Sequence, residues 1–158
     1  GVDISDVAIH TARIHAEKQG LEIKYLNCEA EDLLPAEKES YDLVTCLEAI
    51  EHVPDPAKLV ETCSNLCKPG GTIVFSTINR NPKSFLFAII GAEYILNLLP
   101  KGTHEYKKFI KPSELSSMMR DNSLEVIEVI GMSYNPITKN YWLGKDVDVN
   151  YLIHAKKK

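Results

Sequence analysis

Two carboxylates and an imidazole lie within five consecutive positions, at Glu48, Glu51 and His52. Their i, i+3, i+4 spacing would place all three on one face of even a single helical turn. They follow an apolar run, Tyr41 to Leu47, that has the composition of a buried strand. Because open α/β sheets bind ligands at the carboxyl ends of their strands, this position favours a functional site. The alternative is that the carboxylates are solvated and His52 hydrogen-bonds to the backbone or to water.

Two chemistries suit this cluster. Two carboxylate ligands favour a hard divalent cation such as Mg²⁺ or Mn²⁺, whereas an imidazole ligand fits Mn²⁺, Fe²⁺ or Zn²⁺ better than Mg²⁺. In a mechanism without metal, His52 is the candidate general base, since a neutral imidazole is available near pH 7.

Asp3 is a second candidate, because it ends a short apolar strand at the start of the chain. A Rossmann-like sheet places an acid there to accept hydrogen bonds from the ribose of a nucleotide-like cofactor. A turn-forming or capping role explains the same residue, and no glycine-rich loop precedes it in this sequence.

Strands and helices alternate through the first half of the chain, which predicts an α/β fold with a mostly parallel sheet and helices on both faces. Ser5 and Asp55 are predicted helix N-caps, and Pro69-Gly70-Gly71 is predicted to end the second helix. The predicted strands are 1–3, 22–26, 41–47 and 72–77, followed near the C-terminus by an antiparallel pair at 124–130 and 147–153.

The bulk composition favours one globular domain. Eighteen basic against 22 acidic residues give a formal net charge of −4, which argues against nucleic acid as a partner. The four cysteines are expected to be reduced. The apolar segment 84–99 has basic neighbours and is too short to span a bilayer comfortably, so it is either a helix lying on an anionic membrane surface or a buried helix.

The chain resembles the ubiquinone-biosynthesis O-methyltransferases, which are class I S-adenosylmethionine-dependent enzymes. Elements shared with many methyltransferases are Tyr41-Asp42-Leu43-Val44, Glu51-His52-Val53-Pro54-Asp55-Pro56 and Lys68-Pro69-Gly70-Gly71. More specific elements are Ser76-Thr77-Ile78-Asn79-Arg80-Asn81, Gly91-Ala92-Glu93-Tyr94-Ile95-Leu96, Pro100-Lys101-Gly102-Thr103-His104, Lys108-Phe109-Ile110-Lys111-Pro112, Tyr134-Asn135-Pro136 and Asp148-Val149-Asn150-Tyr151.

The resemblance implies O-methylation of catechol hydroxyls on polyprenylated ubiquinone precursors. It implies S-adenosylmethionine contacts for Asp3 and Leu47, and a divalent-metal role for Glu48, Glu51 and His52, with Glu51 and His52 also catalytic. The polyprenyl tail of such a substrate favours membrane contact through residues 84–99, within a helical insertion at about 80–111. The expected location is cytoplasmic and peripheral at the inner face of the membrane, or the matrix side in a mitochondrial protein, with other ubiquinone-biosynthesis proteins as further partners.

The same family begins its domain with a strand and a glycine-rich loop that have no counterpart here. That strand lies centrally, between the strand ending at Asp3 and the strand at 41–47. Residues 1–158 are therefore expected to be one N-terminally incomplete domain that is unstable or inactive alone.

Two other functions also agree with the sequence. One is a nicotinamide-dependent oxidoreductase, which uses a strand-end acid such as Asp3. The other is a non-catalytic component that binds lipid or quinone through residues 84–99.

Overall fold

Two separate sheets organise the chain, for which a computed structural model describes residues 1–85, 105–135 and 138–158. The strands are β1 (Val2–Asp3), β2 (Leu26–Asn27), β3 (Tyr41–Leu47), β4 (Cys67–Ile78), β5 (Leu124–Asn135), β6 (Asn140–Gly144) and β7 (Asn150–Lys157). The helices are α1 (Asp6–Lys18), α2 (Leu34–Glu37), α3 (Pro56–Leu66), α4 (Pro82–Ser84) and α5 (Pro112–Asp121), and 3₁₀ turns cover Ala30–Leu33, Ile50–His52 and Tyr106–Lys108.

The strands and helices confirm the predicted α/β class, but the sheets are mixed rather than mostly parallel, since two of the five described strand pairs are parallel. β1 pairs in parallel with β2, while the larger sheet has the order β3-β4-β7-β5-β6. Its β3–β4 pair is parallel, and its three other pairs are antiparallel. The predicted C-terminal antiparallel pair corresponds to β5 and β7. The intervening β6, which the sequence analysis did not predict, extends that sheet by one strand.

Both predicted helix N-caps are present. The Ser5 hydroxyl accepts a hydrogen bond from the backbone N–H of Ala8 at 3.2 Å. The Asp55 carboxylate accepts one from the backbone N–H of Lys58 at 3.0 Å, and Pro56 supplies the first residue of α3. Each cap satisfies a donor that the first helical turn leaves without an intrahelical partner.

Several predicted boundaries are wrong, including that of β5, which runs to Asn135 rather than ending at residue 130. Residues 69–71 lie within the bounds of β4, where the β3–β4 register shifts and Gly70 takes a φ of 76°. A glycine tolerates that backbone, so the strand accommodates an irregularity where the sequence predicted the end of a helix. The predicted strand at 22–26 is limited to Leu26–Asn27, and the predicted strand at 147–153 is Asn150–Lys157.

The core lies where α3 and α5 pack against the central strands of the larger sheet. Alternate residues of β4 and β7 face it, because successive strand residues point to opposite faces. The fully buried members with the largest side chains include Phe75, Tyr151, Ile153, Leu115 and Met119. All four cysteines are free thiols, as predicted.

The predicted helical insertion at about 80–111 falls largely on residues 86–104, which lie outside the described residues, as does most of the segment 84–99. Among the helices that the structure describes, none has the length and apolar character needed to cross a membrane.

Candidate active site

Glu48 immediately follows β3 and has a left-handed backbone, with a φ of 51°. Its backbone N–H donates to the Ser76 hydroxyl at 3.0 Å, and that hydroxyl donates to Glu48 Oε1 at 2.7 Å. The Asn150 side chain donates to Glu48 Oε2 at 3.3 Å. Both oxygens of this exposed carboxylate are therefore held by strands β4 and β7. A non-glycine residue with this backbone is uncommon and is often found at functional sites.

Glu51 lies in the 3₁₀ turn after β3 and is 2% exposed. The Thr77 hydroxyl donates to its Oε2 at 2.7 Å. Its Oε1 is buried and has no hydrogen-bond partner among the residues that the structure describes. Buried polar atoms in native proteins nearly always have a partner, so this oxygen is a strong candidate for contact with a ligand.

Glu48 and Glu51 are held by consecutive residues of β4, which point to opposite faces of the sheet. The register of β4 with β7 supports this arrangement: Ser76 pairs with Leu152, whereas Thr77 pairs with Tyr151. The predicted single helical face is not formed, because the turn covers only Ile50–His52 and excludes Glu48.

The metal set predicted at Glu48, Glu51 and His52 does not fit a bound ion in this arrangement. Three of the four carboxylate oxygens already accept hydrogen bonds from side chains of the sheet. Within residues 1–85, 105–135 and 138–158, no group of three or more His, Cys, Asp or Glu side chains is arranged to hold a metal ion.

The other predicted site residues lie at strand ends or beside them. His52 is 47% exposed, and its Nε2 lies 3.9 Å from Glu51 Oε1. Asp3 ends β1, and its Oδ1 accepts a hydrogen bond from the backbone N–H of Ser5 at 2.7 Å. Leu47 ends β3 with 53% of its surface exposed. Asp3 therefore forms the turn that leads into α1, which was one of its two predicted roles.

A cavity of about 430 Å³ adjoins the turn that carries Glu51. Its other charged lining residues are Arg80, Lys107, Lys108 and Glu114. Its apolar lining consists of Val53, Pro54, Pro56, Phe109, Ile110 and Met118. Apolar walls with a few polar groups are typical of small-molecule sites.

Tyr151 supports the part of the cavity wall that Ile110 forms. Its hydroxyl donates to the Ile110 carbonyl at 2.8 Å. Burial raises the pKa of this phenol, and the carboxylates of Glu114, Glu51 and Glu48 raise it further. Tyr151 therefore stays a neutral hydrogen-bond donor throughout the physiological pH range.

Four residues of the site were missed as site residues by the sequence analysis: Ser76, Thr77, Asn150 and Arg80. All four lie in the motifs that carry the family resemblance, but nothing in their local spacing relates them to Glu48 or Glu51. Their partners are separated from them by between 26 and 102 positions, so only the strand register brings them together.

Comparison with known proteins gives a consistent result for family. A family model described as a methyltransferase domain matches residues 1–75. Proteins named ubiquinone biosynthesis O-methyltransferase are 55% identical in Hahella chejuensis, 54% in Saccharophagus degradans and 58% in Nitrosospira multiformis. These matches cover 97–99% of the chain and 66%, 67% and 64% of the respective relatives. The chain thus spans about two thirds of the length of these relatives.

Solved structures agree on the fold. A SAM-dependent methyltransferase of Thermotoga maritima superposes on this chain with a TM-score of 0.71 and 26% sequence identity. The superposition covers 100% of this chain and 72% of the Thermotoga maritima chain. A SAM-dependent methyltransferase of Methanosarcina mazei gives 0.68 at 19% identity, covering 99% of this chain and 80% of its own. The Rossmann-like methyltransferase fold predicted from the sequence is confirmed.

Proposed function

The chain belongs to the ubiquinone biosynthesis O-methyltransferase family, and on that premise we propose that the protein methylates a ring hydroxyl of a ubiquinone precursor, using S-adenosylmethionine. The observation that carries the proposal is the 54% identity to the Saccharophagus degradans relative over 158 residues. The substrate class is a catechol that bears a polyprenyl chain, as the family resemblance implies.

Asp3 and Leu47 are the proposed cofactor contacts. Both are exposed at the carboxyl ends of strands, where α/β sheets bind nucleotide-like ligands. A carboxylate suits ribose hydroxyls, and an exposed leucine suits an apolar ring, so these residues fit the cofactor. When bound, S-adenosylmethionine supplies an electrophilic methyl group.

The incomplete domain remains a prediction, and the sheet pairing supports it. Within the described residues, β1 pairs only with β2 and β3 only with β4, so each has an edge without a neighbour. Leu43 and Leu47 of β3 are 55% and 53% exposed, which is unusual for a strand of this composition. We expect one further strand to lie between β1 and β3 in the complete domain.

His52 and Glu51 are the proposed acid–base residues. His52 is 47% exposed, so it is accessible to a proton from an acceptor hydroxyl, and its Nε2 lies 3.9 Å from Glu51 Oε1. Methyl transfer requires little covalent chemistry from the protein, so holding the acceptor in line with the methyl donor supplies much of the acceleration.

The divalent-metal role of Glu48, Glu51 and His52 stays a prediction that the side-chain arrangement does not favour. A chelation assay tests it. If methyl transfer survives exhaustive chelation but is lost in His52→Ala, the result would exclude the metal role and support His52 as a general base.

Membrane contact through residues 84–99, a peripheral cytoplasmic location and association with other ubiquinone-biosynthesis proteins also remain predictions. Cosedimentation of the complete protein with anionic vesicles tests the first of these. Binding that disappears at high salt would indicate an electrostatic contribution from the flanking lysines.

The central experiment measures methyl transfer from labelled S-adenosylmethionine to a catechol acceptor by the complete protein and its Glu51→Gln variant. We expect the substitution to lower kcat by about 100-fold or more, with cofactor affinity within about twofold of wild type. Glu61→Gln removes a half-exposed carboxylate on α3 and serves as the control. Equal loss of turnover and cofactor binding in Glu51→Gln would refute the assigned role. No transfer by the wild-type protein to any ring hydroxyl would refute the function.

A further inference from the structure

The Glu51 carboxylate has two properties that are energetically unfavourable in combination. It is nearly fully buried, and its Oε1 has no hydrogen-bond partner among the described residues. A carboxylate oxygen that is buried without a donor is much less favourable than one in contact with water. Glu51 also lines the 430 Å³ cavity, so a donor located there could satisfy the oxygen.

Thr77 determines which oxygen of Glu51 is left for that donor. Its hydroxyl is completely buried and donates to Oε2 at 2.7 Å, which fixes the plane of the carboxylate. Thr77 lies on β4 opposite Tyr151 of β7, so a central pair of strands supports this contact. A side chain fixed in this way loses little further entropy when a ligand binds.

The remaining walls of the cavity suit an aromatic ring with hydroxyl groups. Val53, Phe109, Ile110 and Met118 offer apolar surface. Arg80 is held in place because it donates to the Phe109 carbonyl at 3.2 Å and forms an ion pair with Glu114.

Lys107 and Lys108 are exposed and add positive charge to the cavity lining, part of which Glu105 balances through its ion pair with Lys108 at 2.9 Å. This charge favours the phenolate form of a ring hydroxyl over the neutral form. The cavity therefore combines an acceptor for one hydroxyl proton with cations that stabilise a ring oxygen anion.

We propose that this cavity is the acceptor pocket, in which a ring hydroxyl of the substrate donates a hydrogen bond to Glu51 Oε1 and Thr77 is the positioning residue that fixes the carboxylate. The proposal rests on the proposed function, since it assigns the catechol ring to a site. It also assigns separate tasks to the two carboxylates, because Glu48 lies against the opposite face of β4.

The test uses the complete protein and two kinds of variant. Thr77→Val keeps the shape of the side chain and removes the hydroxyl, while Thr77→Ser keeps the hydroxyl. Thr62→Val is the matched control, because Thr62 is also fully buried and its hydroxyl contacts a different carboxylate, that of Glu31. Met118→Trp fills the cavity from α5, and Val53→Phe narrows it beside Glu51 should the first variant fail to fold.

Two quantities are measured. The first is the pair KM and kcat for a soluble catechol acceptor; the second is the affinity of catechol in the absence of cofactor, measured by ligand-observed NMR. We expect Thr77→Val to lower kcat/KM for the acceptor by about tenfold or more, with rescue to within about threefold by Thr77→Ser and unchanged cofactor affinity. The cavity-filling variant should abolish catechol binding and raise the acceptor KM by at least about tenfold.

The proposal is overturned if Thr77→Val behaves like Thr62→Val, or if a folded cavity-filling variant binds catechol as wild type does. Its failure is distinguishable from that of the methyltransferase function. If the cavity-filling variant blocks catechol binding, the pocket is supported even when no methyl transfer is seen. If methyl transfer occurs but these variants do not affect it, the pocket is excluded and the methyltransferase function is retained.

Discussion

Replacing Gly131 with alanine is expected to destabilise the five-stranded sheet by about 2–5 kcal/mol, far more than the same change at its cross-strand partner. Gly131 of β5 pairs with Gly144 of β6. A Cβ at Gly131 would lie 1.7 Å from the backbone oxygen of Asp146, whereas one at Gly144 would have nothing within 4 Å. Two residues that face each other across a ladder thus have opposite tolerance for one methyl group.

The size of the destabilisation follows from the displacement that the new methyl group forces on the backbone at Asp146. Since non-bonded atoms pack at about 3.5 Å, the backbone at Asp146 would have to retreat by about 1.5–2 Å. Overpacking of this kind costs about 1–3 kcal/mol. The retreat also strains the bonds that Asn79 makes, from its side chain to the Val147 carbonyl at 3.0 Å and from its backbone N–H to the Val149 carbonyl at 2.7 Å. Each such bond contributes about 1 kcal/mol.

Urea denaturation of the complete protein, followed by circular dichroism, measures the difference. Gly144→Ala should change the free energy of unfolding by no more than about 0.5 kcal/mol. Equal midpoints for the two variants, at equal m-values, would show that the Asp146 segment yields without cost and would refute the packing argument.

Two further predictions concern the Tyr151 hydroxyl and the contact between Lys83 and Asp146. Tyr151→Phe removes the donor to the buried Ile110 carbonyl and should lower the free energy of unfolding by about 1–3 kcal/mol, measured by the same urea assay. Hydrogen bonding between Lys83 and Asp146 lowers the pKa of Asp146 below 3.8 and raises that of Lys83 above 10.5. Their contact is therefore fully present between those pH values, and it is lost as the pH falls below 3.8 or rises above 10.5. The thermal midpoints of wild type and Lys83→Met should differ within this window and converge below it; a constant difference at acid pH would contradict the assignment.

Local signals explain what the sequence predicted correctly. Ser5 and Asp55 cap helices through bonds to residues three positions ahead, and the strand at 41–47 has the observed bounds of β3. Such features depend on neighbours in the chain, so composition and spacing suffice to predict them.

Tertiary contacts explain the rest. The irregular segment around Pro69 lies within β4 because β3 pairs with β4 residues on both sides of it, Cys67 before and Thr72 after. Glu48 leaves the predicted helical turn because Ser76, on the adjacent strand, binds its backbone N–H and its carboxylate. Thr77 had no signal linking it to Glu51, since the contact joins residues 26 apart through strand register.

The order of strands has a consequence for synthesis of the protein on the ribosome. β7 lies between β4 and β5 in the larger sheet, although it is the last of these strands to be translated. Among the described strands, the β3–β4 pair and the β5–β6 hairpin share no ladder with each other until residues 150–157 emerge, so the inner edges of β4 and β5 remain open. Until β7 joins them, these two strand edges are exposed to pairing with other chains.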